Sequence, residues 1–143
     1  MTTAAPLDFS SFLEDLASPT PTPAGGSAAA VAAALGASLA ELAARVSGDE
    51  AAATEAASLR ERLLALAAED VQAVEELLAG RPERAIEIPR AIARDASRTA
   101  ELASHLAETG KASIHGDAIV GALLAGAAAR SAETLVELNL HES

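Results

Sequence analysis

Residues 19–40 read PTPTPAGGSAAAVAAALGASLA, and this stretch decides the fold because it joins a stiff entry directly to a long alanine-rich helix. Three prolines at alternate positions favour an extended backbone, and Gly25 and Gly26 are able to adopt positive φ angles. Ser27 stands where the N-cap of the helix belongs. The free N–H groups of such a helix start are a candidate site for an anion or a carbonyl, although helix capping alone also accounts for the pattern.

The remainder of the chain predicts four more helices, because apolar residues recur with helical spacing and no stretch alternates with a period of two. Pro89 fits the first turn of the fourth helix. The five predicted helices run over about Asp8–Ala17, Ser27–Ser47, Glu50–Ala79, Pro89–Glu108 and Asp117 to Leu138 or Asn139. We therefore predict an all-α fold, a compact bundle of about five helices, in one domain that spans residues 1–143.

Composition narrows the classes of partner. A net charge of −11 argues against nucleic acid and anionic membrane surfaces, and the absence of cysteine excludes disulfides and thiolate sites. The uncharged runs 28–40 and 118–129 are shorter than the roughly 17 residues that span a bilayer. No two histidines share a helical turn, so no metal site is expected. We expect a cytoplasmic protein without nucleic-acid, membrane or metal partners.

The same two runs predict an oligomer. A helix that is apolar on every side needs cover on every side, and three further helices are too few to cover two such helices in one chain. The simplest expectation is a two-fold homodimer whose helices pack through Ala and Gly. The alternative is a monomer that leaves these faces exposed.

Asp70 is the polar residue that departs most clearly from its surroundings. A projection at 100° per residue places it in the middle of an apolar stripe of the third helix that is formed by Leu63, Ala67, Val74 and Leu77. A carboxylate there has a partner, lines a wet cleft or takes up a proton, and these are also the conditions of a general acid or base. The structural alternative is a hydrogen bond or an ion pair between helices.

Three weaker candidates lie in the last quarter of the chain. Asp117 either contributes a second carboxylate or caps the helix that follows Gly116. His115, two residues earlier, is a candidate for proton transfer, while loop histidines are commonly bystanders. Asn139 is a candidate ligand contact or a residue that ends the helix. The basic row Arg90, Arg94 and Arg98 either holds an anionic tail of a ligand or forms a salt-bridged outer face.

Taken together, four segments resemble the cyclodeaminase/cyclohydrolase family of folate one-carbon metabolism, as found in the C-terminal domain of formimidoyltransferase-cyclodeaminase. The segments that carry the likeness are Phe12–Ala17 followed by Pro21–Ser27, Leu64–Asp70, Ile88-Pro89, and Gly110–Leu140 with Gly116-Asp117-Ala118 and Leu138-Asn139-Leu140. They follow in the family's order over nearly the whole chain. The proline-glycine segment is the most specific of them.

The resemblance implies an all-helical dimer that closes or opens the one-carbon bridge of tetrahydrofolate, with a tetrahydrofolate derivative as substrate and no metal. By matching position, Pro23 and the amides of Gly25, Gly26 and Ser27 would anchor the ligand. Asp70 and Asp117 would handle protons or hold the pterin, and Asn139 would orient the ligand.

Three departures accompany the resemblance. Ala24 replaces the first glycine of the family's usual Gly-Gly-Gly-Ser, the chain is shorter than expected, and Leu135-Val136-Glu137 replaces an Asn-Val-Arg type of sequence. Two other functions therefore stay open. One is a non-catalytic helical homodimer whose inward polar residues specify packing, and the other is a protein that binds a small anion without chemistry.

Overall fold

A computed structural model describes residues 8–142 of the chain as helices joined by short turns. The elements are α1 (Phe9–Ala17), α2 (Gly25–Ser47), α3 (Glu50–Leu78), α4 (Glu83–Thr109), a single 3-10 turn (Ala112–Ile114) and α5 (His115–Glu142). The prediction of an all-α fold with about five helices is confirmed, and residues 8–142 contain no strand.

The predicted start of α2 was wrong by two residues. The helix begins at Gly25 with Ala24 in the N-cap position, so Ser27 is inside the first turn and caps nothing. Neither Gly25 nor Gly26 has a positive φ angle; in the described residues that conformation occurs at Gly48 and Gly80. A positive φ angle therefore does not account for either glycine at the start of α2.

The predicted start of α4 was also wrong, because the helix begins at Glu83 and Pro89 lies in its interior. An internal proline has no N–H for the carbonyl four residues earlier, here that of Ala85. The side-chain amide of Asn139 fills this gap by donating from Nδ2 to the Ala85 oxygen at 2.7 Å. A contact from α5 thus makes the proline acceptable inside α4.

Helix α2 lies at the centre of the bundle and contacts α3, α4 and α5. It runs antiparallel to α5, since Gly25 lies beside Leu135 and Gly36 lies beside Gly121. A Cβ added at Gly36 would come within 2.7 Å of the Gly121 carbonyl oxygen. The two backbones therefore pack directly on each other, which is how an alanine-rich core gains dispersion energy without large side chains.

Helices α2 and α5 each keep an exposed apolar stripe. Leu35 and Leu42 on α2 are 45% and 43% exposed, and Val120 and Leu123 on α5 are 48% and 67% exposed. Leu35, Leu42 and Val120 project to the same side of the α2–α5 contact, and we call these three residues the α2–α5 apolar face; Leu123 instead lines a groove with Ser97 and Ala100 of α4. Both helices also have the length and hydropathy of a membrane span, but 56% of the apolar window of α2 is buried, as in a core helix, against 33% for residues 112–141.

Candidate active site at the start of helix α2

Asp70 points inward, as the helical projection predicts. Its residue is 4% exposed, and Leu63 on the same stripe is fully buried. Only Leu77, near the end of α3, departs from the predicted stripe, with 37% of its surface exposed. Burial raises the pKa of the Asp70 carboxyl, and hydrogen bonds from Ser27 oppose this shift.

The side chain that faces Asp70 is Ser27, which is 1% exposed. Its hydroxyl oxygen lies 2.9 Å from the carbonyl oxygen of Ala67 and 3.4 Å from Oδ2 of Asp70. The hydroxyl therefore spans two acceptors on α3, one neutral and one ionisable. Ser27 was predicted as an N-cap, and its observed role is to join α2 to α3.

Gly26 is required by the carboxyl group. A Cβ built at this position would lie 2.5 Å from Cγ of Asp70, well inside van der Waals contact. At Gly25, in contrast, the nearest atom to an added Cβ is Cδ1 of Leu135, at 3.9 Å. The second glycine of the pair thus lets the start of α2 approach Asp70 closely.

Pro23 and Asn139 lie at the same end of the bundle as Asp70. Pro23 is half-buried just before α2, and its peptide bond with Thr22 is cis. Asn139 lies one turn beyond Leu135, the neighbour of Gly25, and uses its amide nitrogen on Ala85. The structure thus brings Gly25, Gly26, Ser27 and Asp70 together, with Pro23 and Asn139 at the same end of the bundle.

His115 and Asp117 lie at the other end. Asp117 is separated from Leu135 by about 27 Å along the axis of α5, so within one chain it does not share a cleft with Asp70. Both residues are exposed and belong to the first turn of α5. Because they are two residues apart, their side chains project in directions about 160° apart around the helix axis. The Nδ1 atom of His115 is hydrogen-bonded to the Ala107 carbonyl oxygen at 2.7 Å. Within a single chain the structure therefore does not bring Asp117 and His115 together with Asp70.

The partner of Ser27 could not be predicted from the sequence, and the groove described here does not mark the site. The carbonyl of Ala67 is a backbone group, and no pattern of side chains marks it as the acceptor for Ser27. Open space is not a guide either, since a groove of about 740 Å³ lies at the opposite end of α2, lined by Arg45, Asp49 and Glu61 among others. A small residue opposite a buried carboxylate was the available signal, and it is recognisable only once α2 and α3 are docked.

The basic row of α4 is part of an outer face. Arg98 donates from Nη2 to Oε1 of Glu55 at 2.7 Å, and Nε of Arg94 lies 3.8 Å from Asp95. Asp95, 5% exposed, is also paired with Arg62 at 3.1 Å. Among the described residues two carboxylates are thus buried, Asp95 with arginine partners and Asp70 with the hydroxyl and the backbone N–H of Ser27. In residues 8–142 no group of three or more His, Cys, Asp and Glu side chains is arranged to hold a metal ion.

Comparison with known proteins agrees with this architecture. A family model described as formiminotransferase-cyclodeaminase matches residues 8–82 and 78–143. The crystal structure of formiminotetrahydrofolate cyclodeaminase from Thermotoga maritima superposes with a TM-score of 0.89 at 25% sequence identity, over 96% of this chain and 80% of that one. No curated protein sequence matches the chain. Because the family model covers the chain from α1 to its end, this protein belongs to the formiminotransferase-cyclodeaminase family.

Proposed function

We propose that this protein is a folate one-carbon enzyme, a cyclodeaminase or cyclohydrolase that acts on the formimidoyl or methenyl bridge of tetrahydrofolate. The observation that carries the proposal is the Asp70 carboxyl, which is held against the start of α2 with a hydroxyl partner, while the shift of its pKa has no charged side chain among its causes. Family membership and the Thermotoga maritima neighbour support the substrate class.

The chemistry needs a proton donor more than it needs a fixed charge. In the cyclodeaminase direction, N10 of the substrate attacks the formimidoyl carbon, the C=N electron pair moves to the imino nitrogen, and the proton lost by N10 is transferred to that nitrogen, which gives a tetrahedral centre that bears an amino group. That amino group takes a second proton and leaves as ammonia, while the lone pair of N5 forms the methenyl C=N⁺ bond. A buried carboxyl with a raised pKa supplies the proton in its neutral form and recovers one afterwards.

Asp117 enters the proposal through a second copy of the chain. The α2–α5 apolar face is exposed, and a two-fold homodimer would cover it. Gly25 and Asp117 lie at opposite ends of the antiparallel pair α2 and α5, so a two-fold axis that lies in the plane of the interface and perpendicular to these helices would place the Asp117 end of one protomer over the Gly25 end of its partner. In this arrangement Asp117 of the second copy would complete a site that contains Asp70.

Subunit mixing tests this arrangement. Asp70→Asn and Asp117→Asn are purified separately, unfolded together and refolded as an equal mixture. If each site takes one carboxylate from each subunit, mixed dimers contain one intact site, and the mixture recovers about one quarter of the native activity. If both carboxylates act within one chain, the mixture stays as inactive as its components. Val120→Glu, measured by light scattering, is expected to yield a monomer.

The remaining roles in the proposal are smaller. Pro23 and the amides of Gly25, Gly26 and Ser27 anchor the ligand. Asn139 stabilises this end of the bundle through its hydrogen bond to the Ala85 carbonyl of α4. His115 exchanges protons with solvent at the Asp117 end, so His115→Gln is expected to slow turnover less than Asp117→Asn. We further propose that residues 1–143 act as one domain in the cytoplasm, without a metal, nucleic-acid or membrane partner.

Near-complete cover of Asp70 favours the second candidate, a non-catalytic dimer in which this carboxyl only specifies packing. Isothermal titration with tetrahydrofolate and its 5-formyl derivative separates the two. The enzyme is expected to bind both, and Asp70→Asn is expected to lose the heat signal while keeping its helical circular dichroism. No binding by the folded native protein would leave the packing role, and binding unaffected by Asp70→Asn would move the site elsewhere.

A further inference from the structure

The hydroxyl of Ser27 has a position that anchoring a ligand does not explain. It is 1% exposed and lies between two acceptors of α3, the Ala67 carbonyl at 2.9 Å and the Asp70 carboxyl at 3.4 Å. A hydroxyl group has one proton to donate and lone pairs with which to accept. It therefore serves only one of the two oxygens as a full donor at any moment.

The protonation of Asp70 decides which oxygen that is. When the carboxyl is neutral, its O–H is able to donate to the Ser27 oxygen, and the serine proton stays on the closer Ala67 carbonyl. When the carboxyl is ionised, it accepts only, and a hydrogen bond to a charged oxygen is roughly twice as strong as one to a neutral carbonyl. The serine proton then turns to Asp70.

The Ala67 carbonyl tolerates this change because it lies inside α3, where a carbonyl oxygen also accepts the helical bond from four residues ahead. Losing the serine proton therefore does not leave it unpaired. We propose that Ser27 is a positioning residue for Asp70: a rotation of its hydroxyl lets one buried carboxyl be held in both of its protonation states. This inference rests on the proposed function for its use in catalysis, but its geometry does not depend on it.

Charged groups on the neighbouring helices do not offer a substitute. Helix α2 has no titratable side chain before Glu41. On α3, Glu69 follows Ala67 closely and lies 3.9 Å from Arg84 of α4, which also bonds Glu76 at 3.1 Å. None of these groups is among the causes of the pKa shift of Asp70, which are burial and hydrogen bonds from the hydroxyl and the backbone N–H of Ser27; the hydroxyl is the one of these two donors that can also accept a proton from the neutral carboxyl. On α5, Glu137 near Asn139 is exposed.

The test follows the carboxyl carbon of Asp70 by NMR in protein labelled at the aspartate side chains, with Asp70→Asn to assign the signal. In Ser27→Ala the ionised carboxyl loses its side-chain donor, so the midpoint of the Asp70 titration is expected to rise by about one pH unit. Ser38→Ala is the matched control, since Ser38 on the same helix donates to the Ala34 carbonyl at 3.0 Å, away from Asp70. It is expected to leave the midpoint unchanged.

A midpoint that does not rise in Ser27→Ala, or that moves equally in Ser38→Ala, would overturn the positioning role. Ser27→Cys, which keeps a weak donor, is expected to give a smaller rise than Ser27→Ala. The pH profile of folate turnover is then measured for the same variants. A shifted midpoint in a protein that turns over no folate would refute the enzymatic proposal and leave the Ser27–Asp70 coupling intact.

Discussion

Asp70 and Asp95 are two buried carboxylates in helix interiors, 4% and 5% exposed, and they differ in what faces them. Asp95 is paired with Arg62 at 3.1 Å and lies 3.8 Å from Arg94, while Asp70 faces the hydroxyl of Ser27. A cation compensates the charge of a buried carboxylate, and a hydroxyl compensates it only in part. Burial alone therefore does not distinguish a structural ion pair from a candidate proton donor, whereas the group that faces the carboxylate does.

The largest expected difference is in activity. Asp70→Asn keeps the size of the side chain but cannot exchange a proton, so turnover of the folate substrate is expected to fall by about 10²- to 10⁴-fold. Asp95→Asn is the control and is expected to stay within a fewfold of the native rate. Steady-state kinetics on the folded proteins measures both. An equal loss of activity in the two variants would contradict the assignment of different roles to Asp70 and Asp95.

Stability is expected to separate the same two variants in the opposite sense. Asp95→Asn removes the charged partner of Arg62 and is expected to lower the free energy of unfolding by about 1–2 kcal/mol. The loss stays in this range because the Arg62 side chain is 57% exposed and remains solvated. Asp70→Asn replaces a carboxyl that no cation compensates and is expected to be close to neutral. Urea unfolding at pH 7 measures both.

Gly26→Ala tests whether the close approach at Asp70 is essential. The added Cβ would displace the carboxyl from its position beside Ser27, and the expected loss of stability is about 1–3 kcal/mol. Gly25→Ala, one residue away with 3.9 Å of clearance, is expected to be neutral or to stabilise the helix by up to about 1 kcal/mol. Equal effects of the two substitutions in urea unfolding would contradict the contact.

Asn139 shows how a residue near the site acts on structure. Asn139→Leu leaves the Ala85 carbonyl without its side-chain donor and is expected to cost about 1–2 kcal/mol. Pro89→Ala restores an N–H to α4 for that carbonyl, so the loss from Asn139→Leu is expected to be smaller in the Pro89→Ala background. Additive effects in this double-mutant cycle would mean that the proline and the asparagine are not coupled.

The smallest expected effect is the pH dependence of stability. The folded pKa of Asp70 is raised, so the stabilisation from its bound proton is complete below the unfolded value of about 3.8 and is lost as the pH rises through the folded pKa. Relative to Asp70→Asn, the native protein is therefore expected to lose stability with rising pH. Glu55, whose pKa is lowered by its hydrogen bond with Arg98, gives the opposite sign. Its contribution is present above the unfolded value and lost as the pH falls.

The sequence predicted what depends on periodicity. Five helices follow from the spacing of apolar residues, and the inward direction of Asp70 follows from 100° per residue. What it could not predict depends on contacts between distant segments. Pro89 is compatible with the first turn of a helix, and it is also compatible with the interior of α4 when Asn139 donates to the free Ala85 carbonyl. The sequence around Pro89 is the same in both cases.

The same reason explains the errors at the site. Ser27 resembles an N-cap in sequence, and only the docking of α2 on α3 shows that its hydroxyl bonds Ala67. His115 and Asp117 are close in sequence and share a helical turn, but the antiparallel packing of α2 and α5 places them at the far end from Gly25. A local pattern identifies which residues are unusual, and the topology decides which of them meet.

A crystal structure of the protein with bound 5-formyl-tetrahydrofolate tests the central claim most directly. We expect the one-carbon group within hydrogen-bonding distance of Asp70 at the start of α2, with Asp117 of a second copy on the other side of the ligand. A folate bound elsewhere, or an Asp70 carboxyl still sealed beneath Gly26 and Ser27 while the ligand is present, would contradict the account.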